Sequence, residues 1–271
     1  MPGIAERRRV FRELHREGCF VIPTPWDVGS ARLLAALGFP ALATTSSGFA
    51  WSRGRRDNHV TLEDALGYFR AVVEAVDLPV NGDFEGGFAV EPAAVAANVR
   101  AAVETGVAGL SIEDSTGDPS RPLLDFSLAV ERVRAARRAI DESRAGVLLT
   151  GRSEGFIVGR PDLAETIRRL TAYAEAGAEC LYAPGIRAPA DIAAVVRAVA
   201  PGPVNVLVGS SFTTVAELAA AGVRRISVGG ALARAAWGGF LRAAREIAGQ
   251  GTFHQLTEAV PFDEINGAFG S

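Results

Sequence analysis

The run Val80-Asn-Gly-Asp83-Phe-Glu85-Gly-Gly87, followed by Pro92-Ala-Ala-Val-Ala-Ala-Asn-Val-Arg-Ala-Ala-Val-Glu-Thr105 and then Gly109-Leu-Ser-Ile-Glu113-Asp114, carries one full round of a repeating pattern. A short apolar segment ends in acids and glycines. A stretch of good helix formers comes next, with Pro92 at its start, where a missing N–H is no loss, and Gly106 just past its end. A second short apolar segment then ends in acids as the first did. Strand, helix and strand in this order form a unit whose strands lie parallel.

Outward from this unit the same alternation runs through the chain for eight rounds. The predicted strands are Phe20–Thr24, Ala41–Ser46, Val80–Gly82, Gly109–Ile112, Gly146–Thr150, Cys180–Ala183, Val204–Val208 and Arg225–Val228. Apolar residues spaced near the helical period predict helices over Val28–Leu37, Leu62–Val76, Pro92–Thr105, Ser127–Ser143, Asp162–Ala176, Ala190–Val199, Thr214–Ala221 and Ala231–Ile247. Thr61 with Asp64 reads as a variant capping box, Pro161 as a second helix start, and Gly38, Gly177 and Gly222 as helix stops like Gly106. Eight such pairs suit a closed (β/α)8 TIM-type barrel better than an open sheet.

A chain of 271 residues is within the range of one such barrel, so residues 1–271 are expected to form one domain. Residues 251–271 fall outside the eight units and are expected to be an extension for subunit contact. A net charge of −3 argues against a nucleic-acid partner. No apolar run is long enough to cross a membrane and no signal core follows Glu6-Arg7-Arg8-Arg9, which points to the cytoplasm. Cys19 and Cys180 are expected to be reduced thiols.

The sequence holds no lysine, so all 28 basic residues are arginine. Schiff-base aldolases, pyridoxal-phosphate enzymes and P-loop nucleotide hydrolases all need a lysine, whose chemistry a permanently protonated guanidinium does not supply. A barrel that handles carbanions without lysine must use a metal or fixed hydrogen-bond donors as its electron sink.

Catalytic groups of a (β/α)8 barrel sit where strands end. Here the strand ends carry Trp26-Asp27, Ser46-Ser47-Gly48, Asp83-Phe-Glu85, Glu113-Asp114 and Arg152-Ser-Glu154. So many carboxylates in one place repel one another unless a cation compensates, and oxygen ligands without local His or Cys fit Mg²⁺ or Mn²⁺. Asp83, Glu85 and Glu113 are the expected metal shell. Asp27 and Asp118 also fit plain helix caps or loop charges. Arg152 is placed to clamp a substrate carboxylate, or to pair with Glu85 or Glu113. Ser47, Gly48 and Phe49 offer a hydroxyl and two amides at a tight turn, and Trp26 completes the expected substrate-binding set. Trp51 to His59 reads as a polar flap.

These residues resemble a known family. Pro25-Trp-Asp-Val-Gly-Ser-Ala-Arg32, Ala43-Thr-Thr-Ser-Ser-Gly48, Asp83-Phe-Glu-Gly-Gly87, Ile112-Glu-Asp114, Gly151-Arg-Ser-Glu-Gly-Phe156 and Phe262-Asp-Glu-Ile-Asn266 are similar to the isocitrate lyase and phosphoenolpyruvate mutase superfamily. The resemblance implies a barrel whose eighth helix is exchanged between subunits, a dimer of dimers, and Mg²⁺ held largely through water by Asp83, Glu85 and Glu113. It implies that Arg152 holds the substrate carboxylate, that Ser47–Phe49 is the oxyanion-binding turn, and that Asp57 stands on a gating loop. Asp57, Arg152 and Glu113 are the catalytic residues on this reading. The chain departs from the family after the fourth strand. The lyase branch has a cysteine motif there and the mutase branch a lysine and an asparagine, whereas this chain reads Ser115-Thr-Gly-Asp-Pro-Ser-Arg-Pro122. The expected reaction is cleavage or formation of a C–C bond next to the carbonyl of a small 2-oxo or 2-hydroxy acid. P–C bond chemistry using Arg53, Arg55, Arg56 or Arg121 is a second reading, and a catalytically silent ligand-binding relative a third.

Overall fold

Eight short runs of buried residues line up in parallel: β1 (Phe20–Ile22), β2 (Leu42–Ala43), β3 (Val80–Asp83), β4 (Gly109–Glu113), β5 (Leu148–Arg152), β6 (Cys180–Tyr182), β7 (Val204–Leu207) and β8 (Arg225–Ser227). The computed structural model describes residues 2–269; Met1 and residues 270 and 271, the end of the expected extension, lie outside the described residues. The ladder runs β1-β8-β7-β6-β5-β4-β3-β2. Between β1 and β2 the Ala43 N–H donates to the Pro23 carbonyl at 3.0 Å, which nearly closes the cylinder. The fold is the expected (β/α)8 barrel.

The helices are α1 (Ile4–Leu14), α2 (Val28–Ala36), α3 (Ser46–Ser52), α4 (Leu62–Ala75), α5 (Pro92–Val103), α6 (Phe126–Ser143), α7 (Leu163–Glu175), α8 (Pro189–Val199), α9 (Val215–Ala220), α10 (Ala231–Gln250) and α11 (Phe262–Ala268). Thr61 and Asp64 form the capping box at the start of α4. The glycines expected as helix stops adopt positive φ, +81° at Gly38, +90° at Gly106, +101° at Gly177 and +86° at Gly222. Valine, leucine and alanine side chains between strands and helices make the main core, centred on Leu110, Ile112, Leu149 and Leu181.

Three elements differ from the sequence-based expectation. The second strand stops at Ala43, because the Thr45 hydroxyl accepts from the Gly48 N–H and starts α3 where strand and tight turn were expected. The fifth strand is displaced toward Arg152, since Gly146 turns the chain at φ +69° before it. Helix α1 was not foreseen. Its arginines satisfy orphan carbonyls at neighbouring helix ends: Arg7 donates to Val73 and Val76 at 2.7 and 2.9 Å, and Arg8 to Val103 at 2.7 Å. Phe11 of α1, fully buried, plugs the bottom of the barrel against Phe20, Ala41, Ala108, Leu148 and Cys180.

Candidate active site

Because a strand turns successive side chains to opposite faces, residues two apart share the barrel interior. Asp83, Glu113 and Arg152 end their strands on that inner face, and all three line a cavity of about 570 Å³ with Asp57, Glu154 and Tyr182. Arg152 is the hub. Its three nitrogens meet Asp83 at 2.6 Å, Glu113 at 3.0 Å and Glu154 at 3.0 Å, and its guanidinium lies 5.2 Å from the centre of the Tyr182 ring. The sequence reading left charge compensation to a metal; a guanidinium stands among the acids first, paired with Glu113 as one alternative allowed but not with Glu85.

One arginine does not balance the group. Burial would lower the pKa of Arg152, but Glu113, Glu154 and Asp83 hold it well above its usual value. The acids move the other way. Burial, then Asp83 and Glu113, push Glu85 up to about 8, and burial takes Glu154 to about 8 although Arg152 opposes it. Glu113 is raised by burial against the pull of Arg152. Asp57, on the outer loop, is raised by partial burial and by Asp83.

Glu85 is the residue left over. It adopts φ +45°, a region costly for a residue with a side chain, and its Oε1 is buried without a hydrogen-bond partner. An orphaned carboxylate oxygen beside Asp83 and Glu113 is what a hard cation would satisfy, so the donor set fits a divalent ion with oxygen ligands. Among the described residues no three acidic, histidine or cysteine side chains converge into a ligand cage of their own. Such an ion would therefore be met by one or two carboxylates and completed by water.

Opposite the acids, Ser46 donates its N–H to Asp83 Oδ2 at 3.0 Å, and Ser47 lines the cavity. The tight turn expected at Ser47–Phe49 is instead the first turn of α3. The Gly48 and Phe49 amides are taken by the Thr45 side chain and carbonyl, and among the described residues the Ser47 N–H has no backbone partner. Gly48 has another reason: a Cβ there would lie 2.7 Å from Thr45 Cγ2 and 3.1 Å from Trp26 Cβ. Phe49 stacks on Tyr68 at 4.2 Å, so Phe49, Gly48 and Trp26 back the wall rather than line it.

Other expectations sort as follows. Asp27 caps α2, and Asp118 accepts hydrogen bonds from Ser120 at the cavity mouth. Asp114 turns outward to Arg169 and Tyr173, at 3.0 and 2.6 Å, and accepts from the Glu154 N–H. In the segment Trp51 to His59 only Asp57 and Asn58 line the cavity. Of the four arginines considered for a phosphoryl group none lines it; Arg55 pairs with Asp64 and Arg121 with Asp125.

Residues 11–248 match the family model for phosphoenolpyruvate phosphomutase. The chain belongs to this family. A Burkholderia cenocepacia protein provisionally described as a lyase/mutase has a crystal structure 49% identical in sequence, with TM-score 0.96 over 99% of this chain and 98% of that one. An uncharacterized protein of Mycobacterium tuberculosis is 32% identical over 94% of each chain. A 2-methylisocitrate lyase of Escherichia coli is 32% identical over 67% of this chain and 61% of its own length. An oxaloacetate decarboxylase of Paraburkholderia xenovorans is 30% identical over 72% and 66%. The match to these two enzymes thus spans somewhat under two thirds of their length.

Sequence reasoning missed part of the cavity lining. Asn81, Ser111, Asn205, Arg225 and Ser227 also line the cavity, deeper in the barrel. Their signal was available: they are polar residues inside strand windows, where a packed barrel holds branched aliphatic side chains.

Proposed function

We propose that this chain is an Mg²⁺-dependent lyase that cleaves or forms a C–C bond next to the carbonyl of a small 2-oxo or 2-hydroxy acid. The observation that carries this reading is the set of acids at the ends of β3 and β4, with Glu85 Oε1 buried and unpartnered and Arg152 insufficient to balance them. The 2-methylisocitrate lyase and oxaloacetate decarboxylase among the relatives support it.

When bound, Mg²⁺ (or Mn²⁺) supplies Lewis-acid stabilisation of negative charge on the substrate oxygen. The remaining work belongs to the chain. Arg152 keeps N–H groups directed into the cavity and holds the substrate carboxylate. The Ser47 N–H and hydroxyl donate to the oxygen that becomes negative as the C–C bond breaks and its electron pair moves into an enolate. From a 2-oxo diacid the other fragment leaves as CO₂. From a 2-hydroxy acid it leaves as an aldehyde or 2-oxo acid after its hydroxyl proton passes to a base. On this reading Asp57, which lines the cavity and whose pKa is raised by burial, takes that proton, and Tyr182, held up to about 12 chiefly by burial, returns one to the enolate carbon. His59 is exposed and does not line the cavity.

Screening 2-oxo acids, malates and phosphonopyruvate with Mg²⁺, before and after exhaustive chelation, tests this reading. Turnover of a carboxylate substrate that stops on chelation and returns with Mg²⁺ is expected. Undiminished turnover without metal would refute it, and absence of both turnover and metal-dependent oxalate binding would favour the silent relative.

The working assembly is proposed to be a homo-oligomer, a dimer of dimers that exchanges α10. Of this helix only Ala233 is buried, while Trp237, Phe240, Leu241 and Ile247 are exposed. Apolar side chains in such a row call for a second surface, and another copy of the chain provides it.

A further inference from the structure

The acids and Arg152 form the rim of a deeper well. Two residues below the end of each of four strands, on the same inner face, stands a polar residue: Asn81 below Asp83, Ser111 below Glu113, Thr150 below Arg152 and Arg225 below Ser227. At the bottom lies Arg225, 3% exposed yet lining the cavity. Its nitrogens touch Asn205 Oδ1 at 2.9 Å, Thr150 Oγ1 at 3.1 Å and His15 Nε2 at 3.3 Å. None of these neutralises it. His15 donates its Nδ1–H to the Phe11 carbonyl at 2.7 Å, which leaves Nε2 as an acceptor, and burial followed by Arg225 pushes its pKa down to about 3. Arg225 makes no ion pair among the described residues, in contrast to Arg152 with three.

A buried guanidinium with only neutral partners is unfavourable unless an anion joins it. The Arg225 head sits level with Thr150, two strand residues below Arg152, or roughly 7 Å along the barrel. A short diacid bridges that span.

We propose that Arg225, held in place by Asn205, forms a second anion subsite at the bottom of the well, which takes the distal carboxylate of a dicarboxylic substrate while its 2-oxo or 2-hydroxy carboxylate lies at Arg152. The proposal rests on the lyase reading for the upper end alone. It narrows the substrate from small 2-oxo or 2-hydroxy acids to four- or five-carbon diacids, for which the upper end activates one carboxyl and Arg225 reads the other.

Calorimetric titration of the full-length protein with Mg²⁺ separates the two ends by three probes. Oxalate reads the upper end, and malate against lactate reads the gain from a distal carboxylate. The wild type is expected to bind malate at least tenfold more tightly than lactate. Arg225→Gln should remove that preference and change oxalate affinity less than twofold. Asn205→Asp keeps the contact to Arg225 but places a carboxylate of the protein against it, and should remove the preference equally. This second variant guards against poor folding of the first, since it adds an ion pair rather than deleting one. A malate preference that survives in Asn205→Asp, or is absent from the wild type, overturns the subsite. Failure of oxalate to bind, with the malate preference intact and lost in both variants, overturns the upper-end reading and leaves the subsite standing.

Discussion

Two arginines in one barrel illustrate how a side chain acquires its role from its neighbours. Arg152 lies among Asp83, Glu113 and Glu154, and removing it leaves three largely buried acids with no cationic partner among the described residues. Arg152→Ala is therefore expected to abolish turnover and also to lower stability by about 3–5 kcal/mol at neutral pH, a loss that Mg²⁺ reduces. Asp83→Ala removes an acid instead, so it should abolish turnover with little loss of stability; denaturant unfolding with and without Mg²⁺ measures both. His15 offers a pH signature. Its folded pKa, about 3, lies below that of an unfolded histidine, so between these values the unfolded chain binds the extra proton. Its contribution is fully present above about pH 6.5 and is lost as pH falls toward 3, at up to about 1.4 kcal/mol per unit. His15→Gln, which keeps an acceptor for Arg225 but does not titrate, is expected to flatten the fall in denaturation midpoint from pH 6.5 to 4.5; an unchanged slope would remove His15 as its source.

Among elements, α1 and α3 show why local patterns mislead at the two ends of a barrel. Arg7, Arg8 and Arg12 of α1 bond to carbonyls of other segments, a role local patterning does not report, and the helix's anchor is Phe11 in the barrel floor. Phe11→Ala is expected to destabilise the fold by roughly 3–5 kcal/mol, read as a lowered unfolding midpoint, because a fully buried aromatic leaves a cavity no neighbour fills. In α3 the residues Ser47-Gly48-Phe49 do stand at a strand end, as their spacing suggested, but a Thr45 cap converts the turn into a helix and takes two of its amides. Cap geometry depends on one side-chain torsion, which apolar periodicity does not report.

For the whole molecule, α10 is the open question and the assembly the proposed answer. Trp237→Glu with Phe240→Glu places charge on the exposed apolar row and is expected to shift the protein to monomers in light scattering, while the unassociated wild type would argue against helix exchange. No helix among the described residues is long and apolar enough to span a membrane.

The βα alternation, the helix stops at glycine and the acids at strand ends were legible because each depends on residues close in sequence. The absence of lysine narrowed the chemistry by composition alone. What the sequence did not show was which polar groups meet: Asp83 pairs with Arg152 across 69 positions, and Arg225 meets the neutral His15 across 210. Barrel closure makes those encounters, since it brings eight strand ends around one axis. Only the tertiary structure therefore decided that one arginine is paired with three acids while another, deeper in the same barrel, has no counter-charge among the described residues.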